Sequence, residues 1–181
     1  MRPLQLMVGA MVGLLGSVTP ATAQTEPVTV FVVRHAEKGP GNPDPDLTDA
    51  GRDRAKALAR VLGDAEIGTI FASEFKRTQA TAAPIAELRH LTPIVIGAAK
   101  MDELVDRLRG LAPGSRALVV SHSNVVPLIV ERLSGQKVGE LTDADYDRIY
   151  VVTLAPGGTP SVLYLHFGAP SAVGTGGPMR P

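Results

Sequence analysis

Two stretches of this chain run apolar and then end abruptly in a histidine. Val30-Phe31-Val32-Val33 gives way to Arg34-His35, and Ala117-Leu118-Val119-Val120 gives way to Ser121-His122. Arg77 follows a third apolar run, Ile67 to Ala72, at a short distance. An imidazole can serve as nucleophile or general base, and a guanidinium presents a planar fork of N–H donors that suits an oxyanion. Two of each, brought together, would make a pocket for a compact dianion.

Such residues need a scaffold that collects them. Val30 to Val33, bounded upstream by Pro27, has the continuous apolar character of a strand buried on both faces. In an open parallel sheet the carboxyl ends of the strands share one edge, and ligands sit beyond it. Strand and helix patterns alternate through most of the chain, which predicts an α/β fold: a three-layer α/β/α sandwich with a mostly parallel central sheet. Ile67 to Ala72, Pro93 to Ile96 and Arg116 to Val120 read as further strands of that sheet. Ile149 to Leu154 and Val162 to Phe167, joined by a Gly/Pro-rich turn, read as an antiparallel edge hairpin.

Helices are expected between them. The first starts at Thr48 as N-cap and ends at Gly63. Ala55, Leu58, Ala59 and Leu62 form its apolar stripe, leaving Arg52, Arg54, Lys56 and Arg60 as a solvated basic face. The second is capped at Ser73 and Glu74 and runs from Phe75 to about Leu88, kinked or shortened by Pro84. A third covers Met101 to Leu111, and a fourth, capped by Ser123 or Asn124, covers Val125 to Leu133. The loop Gly39 to Asp46, rich in proline and glycine, would form a rim over His35.

Lysine plus arginine and aspartate plus glutamate each number 18 in the 181 residues, so no basic excess points to nucleic acid. The absence of cysteine excludes disulfides and thiolate chemistry. No His-Glu-x-x-His spacing is present, so neither metal nor other cofactor is expected. Arg2, the apolar run Leu4 to Val18 and Ala21-Thr22-Ala23 read as a secretory signal over residues 1–23. That run is shorter than the roughly 20 residues a spanning helix needs. The mature domain, residues 24–167, is therefore expected to be exported, periplasmic or secreted, with no stable membrane insertion after cleavage. Gly168 to Pro181 reads as a disordered tail.

Four blocks together resemble the histidine phosphatase superfamily, the group of phosphoglycerate mutase-like proteins, in its small exported phosphatase branch. They are Val33-Arg34-His35-Ala36-Glu37, Leu47-Thr48-Asp49-Ala50-Gly51, Ser73 with Arg77-Thr78 and Thr81-Ala82, and Ser121-His122-Ser123. The resemblance runs from about Val28 to Leu133 with the blocks in order. It implies that His35 is the nucleophile, forming a phosphohistidine that water then hydrolyses. Arg34 and Arg77 would bind the phosphate, and His122 would assist them as a catalytic residue. The two arginines would keep the His35 imidazole neutral. The implied activity is that of a phosphatase hydrolysing phosphomonoesters of a small phosphorylated substrate.

Relatives with an evident proton donor for the leaving group carry a glutamate after the third strand. Gly97 to Glu103 does not align with that segment, so Glu37, beside the nucleophile, is the first choice of acid and Asp102 the second. Lys38 reads as a solvated loop lysine, and Asn42 is not carried over from the family. His90 and His166 read as structural, and Tyr146-Asp147, which could line the pocket, as packing residues by default. Two alternatives stand beside the phosphatase: a non-catalytic periplasmic phosphate-ligand binding protein, and a phosphoglycerate-type mutase. The mutase needs a bisphosphate primer, which an exported protein does not meet.

Overall fold

The computed structural model describes residues 26–41 and 43–171. The segment read as a secretory signal lies outside the described residues, as do Asn42 and residues 172–181. Among the described residues no helix is long and apolar enough to cross a membrane.

The apolar run before His35 forms β1 (Val28–Arg34), an inner strand of the sheet. It pairs in parallel with β4 (Arg116–Ser121), which pairs in parallel with β2 (Thr69–Ala72), and β2 with β3 (Ile94–Val95). On its other side β1 meets β5 (Arg148–Leu154) antiparallel, and β5 carries β6 (Ser161–His166) as a hairpin. The order is β3-β2-β4-β1-β5-β6, the mostly parallel sheet with an antiparallel edge hairpin that the alternation of elements implies.

Side chains alternate across the sheet with period two and feed two cores. Val30, Val32, Val119, Tyr150 and Val152 pack toward α3 (Met101–Arg109) and α4 (Val126–Ser134). Val33, Ile70, Leu118, Val120 and Ile149 pack toward α1 (Asp49–Val61) and α2 (Lys76–Arg89). Of the two expected effects of Pro84, shortening does not occur: α2 continues five residues past it. Its neighbour Ile85 is fully buried, and burying such a side chain is worth about 1.5–3 kcal/mol, comparable to the roughly 3 kcal/mol an interior proline costs.

Register decides what meets at the sheet's edge. Arg34 lies opposite Ser121, while Val120 lies opposite Val33 on one side and Ala72 on the other. The residues immediately beyond, His35, His122 and Ser73, therefore leave three adjacent parallel strands at one level.

Two helix caps differ from the sequence reading. Thr48 is the N-cap of α1, accepting the Gly51 N–H at 3.1 Å. By contrast, α4 begins at Val125 with no side-chain cap, and the Val125 and Val126 N–H groups donate to the His122 carbonyl at 3.0 and 2.9 Å. α2 begins at Phe75, again with no side-chain bond from its cap residue. In both cases the hydroxyl of the expected cap is not needed, because the turn closes on a backbone carbonyl or the hydroxyl is engaged elsewhere. Order also continues past Phe167: the Ser171 hydroxyl accepts the Tyr146 and Asp147 N–H groups at 2.9 and 3.1 Å. The start of the expected disordered tail, up to Ser171, is thus packed on the domain.

Candidate active site

His35 is 3 % exposed, and its Nδ1 lies 2.8 Å from the Ala36 carbonyl. A carbonyl can only accept, so Nδ1 carries the proton and Nε2 is left with its lone pair. The pKa of His35 falls from 6.5 to about 3. Burial is the largest cause, and the charges of Arg34, His122 and Arg77 add to it against the Ala36 bond. The arginines thus act in the expected direction, but desolvation dominates. The loop holding His35 is pinned from α2: the Ala36 N–H donates to Thr81 Oγ1 at 2.9 Å, and that hydroxyl donates to the Arg77 carbonyl at 2.7 Å.

Arg34 is buried beneath the loop before β5. Its Nη1 donates to the Thr142 and Asp145 carbonyls at 2.7 and 3.2 Å, and its Nη2 to the Tyr146 hydroxyl at 3.3 Å and Asp143 Oδ1 at 3.5 Å. The guanidinium also stacks on the Tyr146 ring, 4.0 Å from its centroid. Arg77 stacks on Phe75 at 4.2 Å, lies 3.6 Å from Asp44, and donates from Nη2 toward His122 Nδ1 at 3.4 Å. Among the buried side-chain nitrogens and oxygens of the described residues, the Nε atoms of Arg34 and Arg77 have no hydrogen-bond partner. Burying an N–H unpaired costs about 1–3 kcal/mol, so the same two arginines singled out by the motif each carry an unmet donor.

His122 is 8 % exposed, with its ring centroid 5.4 Å from that of His35. Its Nε2 lies 2.9 Å from the Ser73 hydroxyl. Burial first, and then the Arg77 charge, lower its pKa to about 4 against the opposing influence of Glu74. The four residues converge on a cleft of about 460 Å³ whose walls also include Lys38, Phe75, Ser123, Asn124 and Asp143.

Glu37 does not join them. Its carboxylate accepts from Arg54 Nε at 2.9 and 3.0 Å and from Nη2 at 2.7 Å, and it lines a separate hollow with Ala50, Asp53 and Gly168. Arg54, placed by its sequence pattern on a solvated face, is 5 % exposed and donates further to the Phe167 and Ala169 carbonyls. A guanidinium buried to that degree needs a carboxylate partner, and Glu37 supplies it. Asp102 pairs with Arg132 at 2.9 Å on the surface, outside the cleft. His90 caps α2 in the left-handed conformation at φ 54°, and His166 pairs with Asp147 at 3.1 Å on the exposed hairpin.

The residues that sequence reading passed over are those that grip the arginines and His122 from a distance in the chain. Tyr146 is the clearest: its ring and hydroxyl serve Arg34, 112 residues away, a partner that neither packing nor a place in the pocket wall specifies. Ser73 is another: besides a 3.4 Å contact from the Phe75 N–H at the helix start, its hydroxyl is bonded to His122 and Thr78. A polar residue next to a strand end was the available signal for each, but it does not say toward which partner the side chain turns.

Residues 30–97 match the family model described as Histidine phosphatase superfamily (branch 1). The chain is 35 % identical over 94 residues to phosphoserine phosphatase 1 of Hydrogenobacter thermophilus, a match covering 48 % of this chain and 42 % of that protein. It spans less than half the length of the curated relatives it matches. The structure of the protein histidine phosphatase SixA complexed with tungstate superimposes with a TM-score of 0.63 at 22 % identity, over 76 % of this chain and 96 % of that one. A mycobacterial glucosyl-3-phosphoglycerate phosphatase gives 0.61 at 16 % identity, over 80 % and 99 %. Over Val30 to Gly97 the chain is thus similar to the histidine phosphatase superfamily, and its sheet shares the fold of these solved structures.

Proposed function

We propose that this chain is a phosphatase that hydrolyses phosphomonoesters through a covalent phosphohistidine on His35. The observation that carries the reading is the state of that imidazole. Its Nδ1–H is tied to the Ala36 carbonyl and its pKa is lowered to about 3, so Nε2 is an unprotonated nucleophile at neutral pH. Nε2 attacks phosphorus, the bond from phosphorus to the leaving oxygen breaks with its electron pair on that oxygen, and a P–N bond forms. Water then attacks phosphorus, the P–N electrons return to Nε2, and the water proton passes to solvent. Arg34, Arg77 and His122 hold the equatorial oxygens, where charge grows in the transition state. The unmet Nε–H donors of the two arginines support that role.

The leaving group sets the substrate class. Asp143 is the carboxylate among the residues lining the cleft, and it is fully exposed and paired with Arg34 at 3.5 Å. Leaving groups that depart without an acid supplied by the protein, such as aryl oxygens or the imidazole of a ring-protonated phosphohistidine, fit this site better than alkyl alcohols. The similarity to a phosphoserine phosphatase makes phosphoserine the natural comparison substrate. Export belongs to the same proposal and rests on residues 1–23, with their apolar run and Ala21-Thr22-Ala23.

The test is to incubate the protein with a labelled aryl phosphate, quench in alkali and map acid-labile label. Label on His35 that appears and turns over is expected. Binding without label would make the chain a phosphate-ligand binder, and a His35→Ala variant as fast as wild type would end the mechanism. A series of aryl phosphates should show kcat/KM falling steeply as leaving-group pKa rises; a flat series would mean that an acid is present after all.

A further inference from the structure

We propose that Ser73 is the positioning residue of His122, its hydroxyl holding Nε2–H so that Nδ1 is the ring nitrogen turned to Arg77 and the anion. This deepens, and rests on, the phosphatase reading. Ser73 is 4 % exposed and Thr78 is fully buried, so their bonds are made without competition from solvent.

The protons in this cluster have one consistent direction. A guanidinium only donates, so at the 3.4 Å contact Arg77 Nη2 gives to His122 Nδ1. The ring proton therefore sits on Nε2 and goes to Ser73 Oγ at 2.9 Å. Ser73, accepting there, sends its own proton to Thr78 Oγ1 at 2.9 Å. Thr78 gives its proton to the Phe75 carbonyl at 2.7 Å, which can only accept. With a pure donor at one end and a pure acceptor at the other, this is the direction in which every bond of the chain is made; the Ser73 carbonyl, 3.1 Å from Thr78 Oγ1, is a second acceptor for the last proton.

This order has a consequence for phosphate. When a bound dianion draws a second proton onto the ring, the added N–H forms at Nδ1 while Ser73 continues to accept from Nε2. The imidazolium then presents one N–H to the hydroxyl and the other to a phosphoryl oxygen, without turning the ring. Ser73 touches neither substrate nor phosphorus in this scheme and acts entirely through His122. The Ser73 hydroxyl also lies 3.4 Å from the Phe75 N–H, a helix-start contact that a purely structural serine would make. A useful test must therefore read something that such a contact does not move.

Ring-nitrogen NMR of the full chain labelled with 15N-histidine, with His122 assigned through a His122→Asn variant, supplies it. Wild-type His122 is expected as the Nε2–H tautomer at neutral pH. Ser73→Ala should give a tautomer mixture, and Ser73→Thr, which keeps the hydroxyl, should restore the wild-type pattern. With a saturating aryl phosphate, Ser73→Ala should lower kcat about tenfold, less than the 10²–10³-fold lost with a direct oxyanion donor. The alkaline limb of its kcat profile should move to lower pH, because the imidazolium has lost an acceptor. Should Ser73→Ala fail to fold, Thr78→Val, which removes the acceptor of the Ser73 proton, should shift tautomer and limb in the same sense by less. An Nδ1–H tautomer in the wild type overturns the proposal, and so does an unchanged tautomer and pH limb in the variants. The NMR arm does not depend on turnover: a tautomer change in a protein that never hydrolyses the aryl phosphate would keep the positioning role and sink the phosphatase.

Discussion

Arg34 and Arg54 are buried to the same degree, 4 % and 5 %, yet they occupy opposite chemical states. Arg54 is saturated: Nε and Nη2 go to the Glu37 carboxylate, and Nη1 goes to the Phe167 and Ala169 carbonyls. Arg34 has both Nη groups anchored by Thr142, Asp143, Asp145 and Tyr146, but its Nε–H has no partner. The first arrangement ties the segment after β1 to α1 and to the chain beyond β6, and leaves nothing for a ligand. The second fixes the guanidinium in place and keeps a donor in reserve. Burial alone therefore does not separate the two; the unmet donor on Arg34 does, and the proposed phosphate-binding role is what would use it.

The comparison breaks first, and by the largest effect, at Arg34. Arg34→Lys keeps the charge but loses the fork and the Nε–H, and kcat/KM for an aryl phosphate should fall about 10²–10³-fold. A loss under threefold would mean that Arg34 is structural like Arg54. Arg54→Met should act on the other axis. Removing one partner of a buried pair typically costs about 3–5 kcal/mol, and the 23 % exposure of Glu37 places this one near the lower end. Denaturant unfolding measures it. The companion Glu37→Gln should lower stability by less and leave kcat within about threefold; a hundredfold loss of kcat in a folded Glu37→Gln protein would reinstate it as the acid.

Gly51→Ala probes the same structural side. A Cβ there would sit 2.2 Å from the Glu37 carbonyl oxygen, a clash with backbone that cannot be relieved by a rotamer change. An overpacking cost of about 1–3 kcal/mol is expected, read as a lowered melting temperature. A further effect is in pH. His35 and His122 have pKa values lowered from 6.5 to about 3 and about 4, so below pH 6.5 the unfolded chain takes up protons that the folded chain refuses. Stability should consequently fall as pH drops from 6.5 toward those values and rise with pH across that window. Unfolding free energies at pH 7 and 4.5 should differ less in His35→Ala than in wild type; an equal slope would show that burial does not hold His35 neutral.

Much of the frame was legible locally. The apolar run of β1, the Thr48 cap and the alternation of strands and helices each follow from spacing within a dozen residues. Arg34, His35, Arg77 and His122 could be named because each follows a strand, and parallel strands end on one edge. Arg54 was misread for the complementary reason. Its helical position does place it off the apolar stripe, but the Phe167 and Ala169 carbonyls that bury it come from 113 and 115 residues away. Adjacency to His35 points to Glu37, whereas the direction of its side chain depends on that same arginine. Local patterns report what a residue prefers, and a polar side chain with several acceptable partners has no local preference among them.

What the sequence by itself determined is the set of strand-end residues capable of the chemistry, because period and composition dictate where strands stop. Tertiary structure decided their states. Strand register set Arg34 beside Ser121 and Ala72 beside Val120, which brings Ser73 within 2.9 Å of His122. Packing closed the β5 loop over Arg34 and removed water from His35, leaving one nitrogen bonded and the other bare. Proton positions and desolvation depend on every neighbour at once, and those neighbours come from the whole length of the fold.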